Sequence, residues 1–403
     1  MPQVKNIIVI GAGYGGITAA LRLARLCRRQ PDCRIHLVDR NPYHTLKTQL
    51  HEAAVRKSSV AIPIQDIIRG RHILFHCGTV NRIDLTARLL FLEETELEFD
   101  FLVFALGSQA NFYDIPGLAE YSFPLQTADD AKRIYQHISG LCAAAGEETE
   151  AETRRNLLRF VIGGGGLAGV EFAAELADHA TLCVQGRKAD QTEIEIIIVE
   201  GLEKILSTMD GEMIARIEKR LLAKGIKILT NTRITSLTAN EVSLSTGERM
   251  KTRALIWTGG IMVSSLASES GLLVGAMGRI VVDEFLRAVD HPFVYAIGDN
   301  ALATSPETGR PVPAAAQFAL QQGRLVAENI YATLGNGAPK PYRPRVLGEI
   351  VSLGQHLAVG WMALPFFRKI TFFGFLGRLL KTASEEKHLL LLRKESRNWT
   401  TSW

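Results

Sequence analysis

The chain has 403 residues, 47% of them hydrophobic and 22% charged, with a formal net charge of +4. That length exceeds one core and predicts two domains plus an appendage, and the apolar content excludes a disordered chain. The small net charge gives no basis for nucleic-acid binding, and the basic excess is local, with 11 Lys and Arg against 4 Asp and Glu in residues 340–403.

From the N-terminus, Lys5 and the β-branched run Ile7 to Ile10 imitate the start of a secretory signal. The pattern continues into a regular helix, so the run reads as a buried strand instead. Gly11, Gly13 and Gly16 follow in a G-x-G-x-x-G frame, then a helical stretch from Ile17 to Leu26. A second strand, Arg34 to Val38, ends at Asp39. This is the order of a dinucleotide site: one glycine for the tight turn, one for backbone approach to a pyrophosphate, one for helix–strand packing. The helix N-terminus faces the phosphates and the acid faces a ribose. Phe101 to Leu106 is an apolar strand closing on Gly107.

The pattern then returns. Leu158 to Ile162 leads into Gly164, Gly166 and Gly169, with Glu171 on the helix that continues from Phe172 to Ala180. A polar loop through Arg187 and Asp190 precedes the strand Ile194 to Val199, which ends at Glu200. No arginine adjoins Glu200 in Gly201-Leu202 to meet a 2′-phosphate, which favours NADH over NADPH. Ala254 to Trp257 closes on Gly259 and Gly260, and Phe293 to Ile297 runs into Gly298 and Asp299. The simplest arrangement is α/β, with two Rossmann-like dinucleotide-binding domains, the second inserted in the first. It assigns 1–110 and 261–335 to one domain, 111–260 to the other, and 336–403 to a C-terminal segment. Two such sites suit a tightly held flavin and a visiting nicotinamide.

Gln317 and Gln321 are four apart and share a helix face, a pair of amides able to donate to carbonyls, although paired glutamines on a helix are more often solvated. From Trp361 onward Phe366, Phe367, Ile370, Phe373 and Leu380 recur at roughly helical spacing among Arg368, Lys369, Arg378 and Lys381. Leu389 to Leu392 then meets Arg393 and Lys394. This composition predicts an amphipathic helix lying on an anionic bilayer, with a core or dimer helix as the alternative. No run of 18 uncharged apolar residues is present to span one. The five cysteines Cys27, Cys33, Cys77, Cys142 and Cys183 have neither C-x-x-C nor metal-ligand spacing. They read as reduced thiols of a reducing compartment, which points to the cytoplasmic face of an inner or plasma membrane.

Gly11 to Gly16, Tyr43-His44-Thr45 through Leu50-His51-Glu52, Gly164 to Glu171, Trp257 to Gly260, Tyr295 to Asn300 and Ala316 to Gly323 carry a resemblance to a known family. The chain resembles the two-dinucleotide-binding-domain flavoproteins and, within them, the type II NADH:quinone oxidoreductases. The resemblance implies bound FAD, NADH as donor, a membrane quinone as acceptor and no proton pumping. It places Asp39 on the adenosine ribose of FAD, Asp299 on the ribityl end and Thr48 close to the flavin. Glu171 would stand where nicotinamide meets isoalloxazine, Glu200 would hold the NADH ribose, and Gln317 and Gln321 would face the quinone. Disulfide-using relatives place a cysteine pair soon after the first motif, where this chain has His44, Lys47 and His51, so disulfide and sulfide chemistry are disfavoured. Reduction of a small electron-carrier protein, or an NADH-sensing role resembling apoptosis-inducing factor, are the alternatives, and a homodimer is left open.

Overall fold

A computed structural model of the chain describes residues 4–29, 32–184, 193–364 and 367–395. Two five-stranded parallel sheets organise it. The first runs in the order Val294–Ala296, Phe101–Phe104, Lys5–Ile10, Cys33–Asp39, Ile73–Cys77. Ile7 to Ile10 are inaccessible to solvent, as a strand covered on both faces requires. The second runs Phe123–Pro124, Ala254–Trp257, Arg159–Gly163, Glu195–Val199, Ile226–Leu229. The strands of the second sheet therefore lie, in sequence, between the fourth and fifth strands of the first. Where the chain leaves and returns, Gln109–Ala110 pairs antiparallel with Ile261–Met262, so the two connections run side by side.

In each sheet the central strand ends level with its neighbours. Ile10 lies opposite Val38 and Phe104, and Gly163 opposite Val199 and Trp257. The glycine turns thus open at the carboxyl edge of each sheet, where ligands of such folds bind. The helix Tyr14–Leu26 leaves the first turn and packs against the helix Ala316–Leu334. The two approach so closely that a Cβ on Gly323 would strike the Gly15 carbonyl, and Arg22 pairs with Glu328 at 2.7 Å across the contact.

The C-terminal part departs from the single amphipathic helix expected of it. Gly348–Ser352, Ala358–Leu364 and Phe367–Gly374 form a three-stranded antiparallel sheet, and only Phe375–Glu395 is helical. Ile370 and Phe373 therefore sit on a strand. Phe372 is buried and Phe373 exposed, the alternation of a pleat rather than a helical turn. Gly374, at φ +79°, breaks the strand and starts the helix. The helix turns its apolar residues outward, as a segment lying on a bilayer would, but not its basic ones. Phe375, Leu376, Leu379 and Leu390 are exposed, whereas Lys381 and Arg378 point inward to carboxylates. The loop residues Arg187 and Asp190, Phe366, and the side chains of Cys183, Phe367, Arg368, Arg393 and Lys394 lie outside the described residues. Cys27 and Cys142 are buried, Cys33 is partly so and Cys77 is exposed.

Candidate active site

The two glycine turns are built alike. Gly11 and Gly164 hold φ of +97° and +110°, where a side chain is strained. A Cβ on Gly11 would meet the Ala105 carbonyl, and one on Gly164 would meet the Gly259 backbone. Gly16 and Gly169 face the Gly11 and Gly164 carbonyls with no room for a Cβ, so each helix starts in contact with its own turn. Gly13 and Gly166 face open space. The first helix backs this up: its N-cap, Gly13, supplies no side-chain acceptor, so the leading N–H groups remain available to an anion.

The acids are held alike too. Asp39 accepts from Ala12 N at 2.7 Å and Asn41 N at 2.8 Å, and burial holds its carboxyl above the ordinary range. Glu200 accepts from Gly165 N at 2.6 Å and Leu202 N at 2.8 Å. Each carboxylate is thereby fixed at the rim of its turn with lone pairs left for a ribose diol. These features fit a dinucleotide at both turns: cramped glycines, an open backbone approach and an oriented acid.

The first turn is closed by residues that return from later in the chain. Gly107 N donates to Asn300 Oδ1 at 2.9 Å, and Ser108 Oγ donates to Asp299 Oδ2 at 2.6 Å. Gly298 N donates to the buried Gln322 Oε1 at 2.6 Å, which ties this turn to the Ala316–Leu334 helix. Only burial separates Gln322 from Gln321, and no local sequence signal distinguishes the two. Thr48 Oγ1 lies 3.0 Å from the Tyr14 hydroxyl on the same rim. A cavity of about 200 Å³ lies against Asp299 and Arg279, with Ile261, Val263 and Pro313 in its wall. On the second turn, a Cβ on Gly260 would strike the Tyr113 ring.

Glu171, on the helix Leu167–Val184 that leaves the second turn, joins the two units and the C-terminal segment. It is 5% exposed, accepts from Ser352 N at 2.8 Å and is ion-paired with Lys381. Its other oxygen lies 3.6 Å from His51 Nδ1, in the first unit. Burial, with Lys381 beside it, holds His51 well below the usual imidazole range, so the ring is neutral. Glu52 pairs with Arg378 at 2.8 Å; burial raises its carboxyl, but the Arg378 guanidinium outweighs this and leaves it low. One turn along from Glu171, Glu175 is fully buried against Arg56, and burial drives its carboxyl up to about 7. The same C-terminal helix buries His388 against Tyr14, with His388 Nε2 3.3 Å from His44 Nε2. His44 Nδ1 contacts the Ala12 carbonyl of the first turn at 2.7 Å. Lys381, Arg378 and His388 were legible in the sequence only as residues of a lipid-facing segment.

The glutamine pair is not free. Gln317 Nε2 donates to the Gly348 carbonyl at 3.2 Å and its Oε1 accepts from Leu347 N at 2.9 Å. Gln321 Nε2 donates to the carbonyls of Arg345 at 2.8 Å and Gln317 at 3.1 Å, and its Oε1 accepts from Arg345 N at 2.9 Å. Both amides, expected to face a quinone, fasten the segment 345–348 to the helix. Among the described residues both hydrogens of Gln321 are used and one of Gln317 is not. A further tertiary contact concerns Gly201, where a Cβ would lie 3.3 Å from Arg233 Cγ and 3.5 Å from its Nε. The absence of an arginine next to Glu200 in sequence is therefore not its absence in space.

Two equivalent nucleotide turns, one on each of two parallel sheets and bridged by a buried acid, define an oxidoreductase of the two-dinucleotide α/β class. Residues 5–323 match the pyridine nucleotide-disulphide oxidoreductase family, and the chain belongs to that family. It is similar to a Staphylococcus aureus protein named Type II NADH:quinone oxidoreductase, at 28% identity over 362 residues, covering 88% of this chain and 89% of that one. Its fold is that of NDH2 from Plasmodium falciparum, solved in complex with NADH, at TM-score 0.83 and 17% identity over 99% of this chain and 100% of that one. It is also that of the sulfide:quinone oxidoreductase from Aquifex aeolicus, at TM-score 0.79 and 21% identity over 99% and 93% of the two chains.

Proposed function

We propose that the chain oxidises NADH through bound FAD and passes two electrons to a quinone of the bilayer, without moving ions across it. The observation that carries this reading is Glu171. It stands on the helix of one nucleotide turn, touches the other unit through His51, and is paired with Lys381 of a helix that exposes apolar residues. The first turn with Asp39, Thr48, Gly107, Gly298 and Asp299 would hold FAD, and the second with Glu200 and Gly260 would hold NADH. The flavin, when bound, supplies the two-electron relay between nicotinamide and quinone.

The rest is the work of this chain. The net reaction is NADH + H⁺ + quinone → NAD⁺ + quinol, so one proton must enter from water. Gln317 keeps one N–H for a quinone carbonyl, and Gln321 acts by positioning the 345–348 segment. Val346 and Leu347 are exposed beside those glutamines, and Phe375, Leu376, Leu379 and Leu390 are exposed on the helix. This apolar surface, with Arg345 and Lys369 near it in sequence, suits the interface of an anionic membrane. No helix among the described residues is long and apolar enough to cross one.

Anaerobic stopped flow tests the reading. NADH should bleach the flavin band of the purified protein, and a soluble quinone should restore it rapidly. Bleaching without recovery would transfer the acceptor role to a protein, and no bleaching would remove NADH from the second turn. Deleting residues 375–403 should release the protein from anionic vesicles.

A further inference from the structure

The second turn carries a charge that the reading above leaves unused. Glu200 ends the strand Glu195–Val199, and the chain continues through Gly201 across the carboxyl edge of the sheet. The neighbouring strand, Ile226–Leu229, ends at the same edge, and its following loop folds back on Glu200. Thr232 N donates to the Glu200 carbonyl at 2.9 Å, and Asn231 N to the Leu202 carbonyl at 2.9 Å. Those two bonds set the start of the loop. The Arg233 main chain is held in turn by Ser245, whose Oγ accepts from Arg233 N at 3.0 Å. The aliphatic part of Arg233 lies on Gly201, where a Cβ would come within 3.3 Å of its Cγ. Its side chain is exposed and makes no salt bridge with another described residue, Glu200 included.

A guanidinium and a carboxylate thus flank one residue at the place where an adenosine ribose must rest for Glu200 to bind its diol. The two side chains oppose each other toward a substituent on that ribose. The carboxylate accepts from free hydroxyls and repels a phosphate, whereas a guanidinium offers a planar fork of donors to a phosphate. Resting on the dinucleotide reading of the second turn, we infer that Arg233 reads the 2′ position of the adenosine ribose. It gives the site a measurable tolerance of 2′-phosphorylated dinucleotide that Glu200 alone would abolish. The preference for NADH is then a balance of two charges and not the absence of a cation. Gly201 belongs to the device, since a Cβ there would lie 3.3 Å from Arg233 Cγ and press the arginine aside by a few tenths of an ångström.

Binding isolates this from turnover. Calorimetric titration of the purified FAD-loaded protein with 2′,5′-ADP and with 5′-AMP should show Arg233→Ala losing about tenfold in affinity for 2′,5′-ADP while binding 5′-AMP within twofold of the parent. Arg233→Lys should recover part of the loss, because it restores charge without the fork. Glu200→Gln should tighten 2′,5′-ADP, and adding Arg233→Ala to it should remove that gain. In turnover, the NADPH:NADH ratio of kcat/KM should fall about tenfold in Arg233→Ala. Equal loss of both ligands, or a 2′,5′-ADP affinity unchanged within twofold, would overturn the assignment to Arg233 with the dinucleotide site intact. If the parent protein binds neither 5′-AMP nor NADH, the reading of the second turn fails and the inference falls with it.

Discussion

Replacing Lys381 by methionine keeps the length of the side chain and removes the cation from Glu171. Both residues are 5% exposed, so the carboxylate would be left in a nearly water-free site. Among the described residues its remaining donor is Ser352 N at 2.8 Å, and burial, the larger of the causes that lower His51, still opposes a cation on that ring when Lys381 is gone. Breaking such a pair costs roughly 3–5 kcal/mol, while replacing both members with neutral groups costs much less. The expected pattern is therefore non-additive. Lys381→Met should be strongly destabilised, and adding Glu171→Gln should restore part of the loss, with a coupling of about 2 kcal/mol across the cycle. Urea unfolding followed by tryptophan fluorescence supplies the four free energies. Limited proteolysis should show the C-terminal helix cleaved first in the single variant, since Lys381 is one of its inward anchors. A coupling under about 0.5 kcal/mol would refute the reasoning, because it would mean that the two groups do not depend on each other's charge.

Gly13→Ala adds a methyl to open space, so the fold should survive with stability near that of the parent while FAD affinity falls at least tenfold; ultrafiltration and flavin absorbance measure it. Gly16→Ala drives a methyl into the Gly11 carbonyl and should cost several kcal/mol, with little folded protein by circular dichroism. Burial lowers the His388 and His44 rings to about 3 and about 4, His388 being held down further by His44. Both lie below the unfolded value of 6.5, so their contribution is complete above pH 6.5 and is lost as pH falls toward 3, by up to about 1.4 kcal/mol per unit per group. Urea midpoints at pH 7 and pH 5 should therefore diverge less in His388→Gln than in the parent. Gln321→Ala frees both polar groups of Arg345 and should destabilise by roughly 1–2 kcal/mol. It should slow quinone reduction while leaving NADH bleaching intact, and equal slowing of both would remove the 345–348 segment from the quinone side.

What the chain's local order determined is the pair of nucleotide turns. Each needs only a β-branched strand, glycines at set intervals, a helix and a terminal acid, all within about one βαβ length of chain. Gly11 with Asp39 and Gly164 with Glu200 could accordingly be read without coordinates. The reappearance of an apolar strand before Gly298 also revealed that the first sheet is completed after the second. The C-terminal segment showed the limit of periodicity. Aromatic and β-branched residues in close succession suit a pleat as well as a helix, and the strand Phe367–Gly374 was settled by pairing with Ala358–Leu364. Only the tertiary structure decided which charges face which. Lys381 meets Glu171 from 210 residues away, and Gln317 and Gln321 spend their amides on backbone 24 to 31 residues on. Arg233 reaches the side of Gly201 from an adjacent strand's loop. Turns and strands obey short-range sterics that a sequence displays directly. The partner of a charge is set by long-range packing, because a buried ion is stable only where the fold delivers its opposite.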